Sequence, residues 1–429
     1  MTRPPIHALD LLGYFNPWTL SRLAWLTGKR GWARLWRAPG ANSRFFIATT
    51  FVWSGAMALT EPYKALYLSK LGLSHLAIGG FFALDMGLRI GGVLLGGMMA
   101  QRWGHKAMLL SFDTVAWVVS MTVLALATEP WHVYLATCLF ATNALVAGSV
   151  VQLLVEDTPA DKRTPTFALF NLAFVLPSLL LPAFSGWMVE RWGVVPVMRV
   201  LFGLTAVATG LTTLWRYHRL RESTTLTPQA DLGALLRDGL RTARHLGAQA
   251  LLLPVLGLFL LSNMLMNLNK AWQGLYITGP LGLSDAWIGH QAAAGAVCFV
   301  AVSLLWAPRL RAELHHGLLF WACLLGALPG LGLAWAWHPA LVLALGALGG
   351  TLGALQGPLL AGHLTALFPP GREGLAHALL SSVMQAAVAL SLVLGGALFE
   401  TRFGAFPWVA GAMGLAMGAL AWALWKGRN

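Results

Sequence analysis

Apolar runs of about twenty residues or more recur along this chain, and they restrict it to one kind of fold. The approximate runs are 44–69, 74–101, 105–128, 130–155, 163–189 and 194–216, then 248–278, 283–306, 316–336, 338–367, 373–400 and 404–425. A helix of about 20 apolar residues crosses the hydrocarbon of a bilayer. Lipid offers no partner to a bare N–H or C=O, so each crossing must satisfy its own backbone, as a helix does. Composition demands the same solvent. Of 429 residues, 57% are hydrophobic and only 10% charged, against about 25% charged in a soluble domain. The expectation is an all-α membrane protein with twelve transmembrane helices. Cys138, Cys298 and Cys323 fall inside apolar runs and read as reduced packing residues. No metal-ligand spacing appears, and no cofactor is expected.

The chain also repeats itself. Leu66–Gly79, LYLSKLGLSHLAIG, returns in altered form at Leu275–Gly289, LYITGPLGLSDAWIG, about 210 residues later. Tyr67 recurs as Tyr276, Leu71-Gly72-Leu73-Ser74 as Leu281-Gly282-Leu283-Ser284, and Ile78-Gly79 as Ile288-Gly289. Arg191-Trp192-Gly193 with Pro196 returns as Arg402-Phe403-Gly404 with Pro407. A repeat of this kind builds transporters from two halves. The expected units are six-helix bundles at 44–216 and 248–425, joined by a polar linker at 217–247. Within the linker, Thr227 is a good N-cap and Pro228 suits the first helical position. Leu232, Leu235, Leu236, Leu240 and Ala243 then form one apolar stripe, flanked by Arg237, Arg241 and Arg244, as in a helix lying on a membrane face. Residues 1–43 lack the apolar core and cleavage site of a signal peptide. Trp18, Trp25, Trp32 and Trp36 alternate there with Arg22, Lys29, Arg30, Arg34 and Arg37. One or two interfacial helices fit that mixture, and a disordered basic tail is the alternative. Residues 426–429 are read as a short tail.

Charge sets the expected orientation. With the N-terminus inside, the inner segments hold most of the cations, among them Arg44, Arg102, Lys106, Lys162, Arg163, Arg216, Arg219, Arg221, Arg309, Arg311, Arg372 and Lys426. The outer ends hold only Lys64, Lys70, Arg191 and Arg402. This bias puts both termini in the cytoplasm of a plasma (inner) membrane protein. It also accounts for the net charge of +13 without a nucleic-acid partner, because the cations are spread over every inner loop.

Between the second and third runs lies Gly97-Met98-Met99-Ala100-Gln101-Arg102-Trp103-Gly104-His105-Lys106. This resembles the G-x-x-x-D-R-x-G-R-K loop of the major facilitator superfamily, with Gln101 in place of the Asp and His105 in place of a basic residue. Asp157-Thr158-Pro159-Ala160-Asp161-Lys162-Arg163 is similar to the family's D-x-x-P-x-x-x-R loop, and Pro369-Pro370-Gly371-Arg372 echoes it. The resemblance implies two pseudo-symmetric bundles, alternating access and a drug/proton-antiporter-like branch. It also implies that the loop Asp latches the halves on the inner side, a latch that the uncharged Gln101 would weaken. The glycine–proline pattern of the efflux antiporters is not evident in the fifth run. Pro177 and Pro182, with Pro254 in the seventh, are expected to mark bends.

An ionisable residue inside a span is a functional candidate. Asp85 and Arg89 share a helical face four residues apart. Asp113 lies in the third span at a depth that Arg89 could reach. A self-neutralising structural cluster and a proton site both fit Asp85, whereas Asp113 reads as structural. Glu61 precedes Pro62 in the outer half of span one, with Lys64 a turn on, and its repeat counterpart is Lys270. Spans one and seven face each other across the cavity in this superfamily, so the resemblance implies an acid and a base meeting across the halves. The alternative has both snorkelling to the outer interface. Asn263 and Asn267 share a face near Lys270, and Asn143, Asn171, Gln356 and His363 are further polar candidates for the cavity. The sequence lacks HExxH, GxSxG and Walker motifs, which argues against an enzyme. The expected function is proton-coupled export of an amphipathic small molecule or lipid, by a monomer in the bilayer. Proton-coupled uptake of a polar nutrient, or a non-transporting receptor or scaffold, is the alternative.

Overall fold

In this computed structural model the described residues are 39–155, 158–159, 163–221, 252–305, 315–365, 367 and 373–426, with 237, 241, 242, 244, 247 and 249. Among them the secondary structure is helical throughout. Grouped in chain order, its continuous parts form twelve helical segments, at 41–70, 75–103, 105–125, 130–155, 163–192, 194–219, 252–278, 286–305, 315–333, 339–365, 373–401 and 403–426, and residues 237, 241, 242, 244 and 247 are helical as well. Eight of these are long and apolar enough to cross a membrane, and two more, His75–Leu88 and Gly317–Leu333, are apolar but shorter. The segment expected at the N-terminal interface, the stripe of the linker helix, and Asp157 and Asp161 lie outside the described residues.

The repeated motif is a helix corner, built the same way twice. The first span ends at Lys70 and the seventh at Thr278. Gly72 and Gly282 then take φ of 91° and 64°, a left-handed conformation open to glycine without steric cost. Leu73 N–H closes back on Leu68 C=O at 3.2 Å, and Leu283 N–H on Ile277 C=O at 3.1 Å. In the first copy Ser74 Oγ accepts from Ala77 N–H at 3.2 Å and so caps the next helix. Symmetry fails at the second repeated pair. Gly193 is left-handed at φ 83°, whereas Gly404 lies in a 3₁₀ turn, Phe403–Ala405.

Proline accounts for two of the interruptions within spans. Span one runs as Ala41–Thr60, a 3₁₀ turn Glu61–Tyr63, and Lys64–Lys70, because Pro62 brings no N–H to the helical ladder. Span five bends through the 3₁₀ turn Leu176–Leu179 between Pro177 and Pro182. Pro254 marks no bend. It sits in the first turn of Leu252–Thr278, where a missing N–H costs nothing. Directly after Asp113 the third span loosens into a π-helical turn, Thr114–Val119.

The core is one body at one end of the molecule and two at the other. A single apolar cluster joins both halves near the 70–75 and 279–285 corners, and contains Tyr63, Tyr67, Ile78, Phe82, Trp272, Tyr276, Ile288 and Phe399. At the opposite end, Phe46, Leu109, Leu153 and Leu169 pack in the N-terminal half. Val255, Leu319, Leu360 and Leu424 pack separately in the C-terminal half. Glycines set the contact at the joined end. A Cβ on Gly79 would lie 2.5 Å from Leu392 C=O and 3.1 Å from Gly396 Cα, and one on Gly289 only 1.9 Å from Pro182 C=O. On Gly186 it would meet Ala286 C=O at 2.9 Å. The repeat shift of about 210 carries Gly79 onto Gly289 and Gly186 onto Gly396. Thus spans two and eleven, and spans five and eight, cross in pseudo-symmetric close approaches.

Candidate functional site

The 3₁₀ turn in span one brings Glu61 and Lys64 together, since residues three apart eclipse in such a turn. Lys64 Nζ bonds Glu61 Oε1. Lys64 was expected at the outer end of its span. It is instead buried, at 5% exposure, because this carboxylate and the Phe140 ring, 5.0 Å from Nζ, replace its water. From span seven, Lys270 Nζ lies 2.7 Å from Glu61 Oε2. One carboxylate therefore bridges a cation of its own half and a cation of the other half. Glu61 and Lys270 thus meet as an ion pair across the halves.

Above this bridge the halves are tied by Tyr63. Its hydroxyl accepts from Gly289 N–H at 2.8 Å and lies 3.4 Å from Ala286 C=O. At the span two–eleven crossing, Leu76 N–H donates to Glu400 Oε2 at 2.9 Å. Neither tie was read from the sequence. A buried tyrosine hydroxyl needs a partner, but nothing in the chain's order says that the partner is 226 residues away.

Two cavities adjoin the bridge, and Glu61 and Lys270 line both. The larger, about 810 Å³, lies against the C-terminal half and carries the amides of Asn263, Asn269, Gln273, Gln291 and Gln356. The smaller, about 240 Å³, lies in the N-terminal half among Trp53, Phe81, Phe82, Trp117, Phe140 and Phe174. Asp85 and Arg89 face it, with Arg89 Nε donating to Asp85 Oδ1 at 2.8 Å and the guanidinium 5.0 Å from the Phe140 ring. Asn143 and Asn267 line the smaller cavity as well, Asn143 Oδ1 accepting from Trp117 Nε1–H at 3.2 Å. Asn263 and Asn267 donate to carbonyls a turn back, Phe259 C=O at 2.7 Å and Asn263 C=O at 2.8 Å. Gln356 Nε2 donates to Ala322 C=O at 2.7 Å. Asn171 is exposed and His363 half-buried with Nδ1 2.7 Å from Leu359 C=O, and neither lines these cavities.

Asp113 does not join Arg89. Its partner is Arg216 of span six, Nη1 to Oδ2 at 3.1 Å. Arg216 also donates to Thr49 Oγ1 at 2.9 Å and Thr50 Oγ1 at 3.4 Å, and stacks over the Phe46 ring at 4.4 Å. Arg216 was counted with the inner-loop cations, yet it is 4% exposed. A carboxylate, two hydroxyls and a ring take the place of water around it. In the signature loop, Gly97, Gln101 and the exposed Arg102 fall in the helix Gly92–Trp103, and Lys106 lies 5.5 Å from the Tyr217 ring. Gly104 turns the chain at φ 86°, as the pattern requires. The close approach to span four falls on Gly92 and Gly96, where a Cβ would meet Ala144 Cβ at 2.7 Å and Leu145 C=O at 2.0 Å.

Comparison with known proteins agrees with this architecture. A family model described as Major Facilitator Superfamily matches residues 91–339. The multi-drug resistance efflux pump PmrA homolog of Lactococcus lactis is 25% identical over 175 residues, which are 39% of this chain and 41% of that protein. Multidrug resistance protein MdtG of Klebsiella pneumoniae is 25% identical over 179 residues, 40% of this chain and 42% of that protein. The matches thus span about two-fifths of these relatives' lengths. A variant of the nucleoside transporter NupG superposes with a TM-score of 0.73 over 89% of this chain and 99% of that one, at 12% identity. With more than half of its residues inside the family model, and with two halves joined at one end of a central cavity, the chain belongs to the Major Facilitator Superfamily.

Proposed function

We propose that this protein is a secondary active transporter working by alternating access, and that it exports an amphipathic small molecule or lipid in exchange for protons. The observation that carries the reading is the Glu61–Lys270 bridge between the halves, 2.7 Å long and lining both cavities. A proton on Glu61 removes the charge that holds Lys270, which weakens the closed end and so couples proton binding to opening there. Residues 44–216 and 248–425 are the two moving bodies in this scheme. The cation bias of the loops supports cytoplasmic termini in a plasma membrane, with the joined end outside and the separated cores inside. The monomer is the working unit. Asp85, paired within its own helix to Arg89, is the second proton candidate. The efflux-pump relatives support export, and the amide lining of the larger cavity favours uptake of a polar nutrient as the second reading.

The test is proton movement in proteoliposomes carrying an internal pH dye. Export by antiport predicts that addition of a substrate moves protons opposite to it. Glu61→Gln is expected to abolish that movement. Asp85→Asn is expected to abolish gradient-driven transport while leaving ligand binding largely intact, and undiminished transport in it reduces Asp85 to a structural role. Proton movement in the same direction as substrate selects uptake, and neither proton movement nor transport with any compound selects a receptor or scaffold.

A further inference from the structure

We infer that the ligand of this cavity is an amphipathic organic anion, one carboxylate or phosphate on an apolar body, with its charge seated on Lys270 and Gln291. The inference rests on the transport reading above and names its substrate class. Among the described residues, the charged groups lining the two cavities are Glu61 and Lys64 from span one, Asp85 and Arg89 from span two, and Lys270 from span seven. Two carboxylates thus face three cations. Both carboxylates are already engaged, Glu61 by Lys64 and Lys270 and Asp85 by Arg89. A cationic ligand would find no carboxylate among them without a cation beside it, and would meet a surplus positive charge. An anion would complete the balance.

Two donor side chains, Lys270 and Gln291, line the larger cavity. The Lys270 side chain is 47% exposed, against 7% for Lys64 and 19% for Arg89, and its ammonium has two protons beyond the one facing Glu61. Gln291 lies in the wall of the larger cavity at 8% exposure, and its Nε2 has no hydrogen-bond partner. A buried amide donor without an acceptor is costly unless a ligand supplies one. The chain packs closely on this side chain, since a Cβ on Gly346 would meet Gln291 Cγ at 2.6 Å. Phe259, Met266, Phe299 and Leu345 offer apolar surface in the same cavity for the rest of the molecule.

The experiment compares 2-naphthylacetate with its uncharged amide and with 2-naphthylethylammonium, by thermal shift and tryptophan quenching on the purified chain in neutral detergent, without any gradient. Lysophosphatidate is a fourth ligand, which distinguishes a lipid source of the anion from a free organic acid. At least one of the two anions is expected to bind about tenfold more tightly than the neutral amide, as charge-assisted hydrogen bonds do. Lys270→Gln should reduce that preference to about twofold or less, with Lys270→Arg retaining part of it, and Gln291→Leu should weaken the anion more than the amide, whose carbonyl accepts only a neutral hydrogen bond. Tightest binding by the ammonium compound, or an anion preference that survives both Lys270→Gln and Gln291→Leu, overturns the assignment. Because the assay reads binding alone, an anion site without proton movement would leave this assignment standing while the transport reading failed.

Discussion

At the residue scale, two of the charge clusters that the described residues keep inside the spans are used differently. Glu61, Lys64 and Lys270 straddle the two halves beside open cavity, so their partners change if the halves separate. Asp113 and Arg216 are enclosed within the N-terminal half, with Thr49 and Thr50 completing the guanidinium's contacts. Such a pair, with both partners in one half, is expected to keep its geometry when the halves move. Arg216→Ala is expected to destabilise the protein by about 3–5 kcal/mol, since it leaves Asp113 buried and unpaired. A melting curve in detergent checks it, and an unchanged melting temperature would show that Asp113 finds water instead. Glu61→Lys is the complementary case. It places a third cation against Lys64 and Lys270 and is expected to bias the joined end open, while the double reversal Glu61→Lys with Lys270→Glu recovers part of the balance.

At the element scale, the repeated Ile-Gly pair has a physical purpose. Gly79 and Gly289 sit one turn into the helices that follow the two corners, where spans two and eight cross spans eleven and five. Their missing side chains let backbone meet backbone. In Gly289→Ala the added methyl lands on Pro182 C=O, a backbone atom that cannot swing aside. Overpacking of this kind costs about 1–3 kcal/mol, enough to move a closed-to-open ratio about tenfold. Gly80→Ala, whose Cβ would meet nothing within 4 Å, is the control and should leave the ratio unchanged. Accessibility of a cysteine placed at Ser69 to a membrane-impermeant reagent reads the difference, and equal labelling of the two variants would remove the glycines from the gate.

At the scale of the whole molecule, one shared core at one end and two separate cores at the other make a lever. The ends that carry the corners can part only if the Tyr63–Gly289 hydrogen bond, the Glu400 contact to Leu76 and the Glu61 bridge break together. Spin labels on Ser69 and Thr278 are expected to show a short distance in the wild type. Glu61→Lys should lengthen it and the double reversal should return part of the population to the short distance. Identical distributions in all three proteins would exclude Glu61 as a gate.

The sequence by itself determined the solvent, the helical class and the repeat. The first two rest on local rules, namely hydrocarbon thickness and backbone satisfaction. It also marked Glu61 and Lys270 as counterparts, because a duplication places equivalent residues about an axis. Partnership between residues that no symmetry relates was decided only by the packed structure. Asp113 has two arginines within plausible reach, and helix periodicity cannot say that the sixth span, not the second, presents its guanidinium. Lys64 and Arg216 sit near the ends of spans, where a cation is read as exposed until a buried acid from another turn or another helix is shown beside it. The sequence offered Asn171, Gln356 and His363 as equals. Which of them faces a cavity depends on the rotation of each helix about its own axis, which uniformly apolar spans leave unmarked and which neighbouring helices fix by contact.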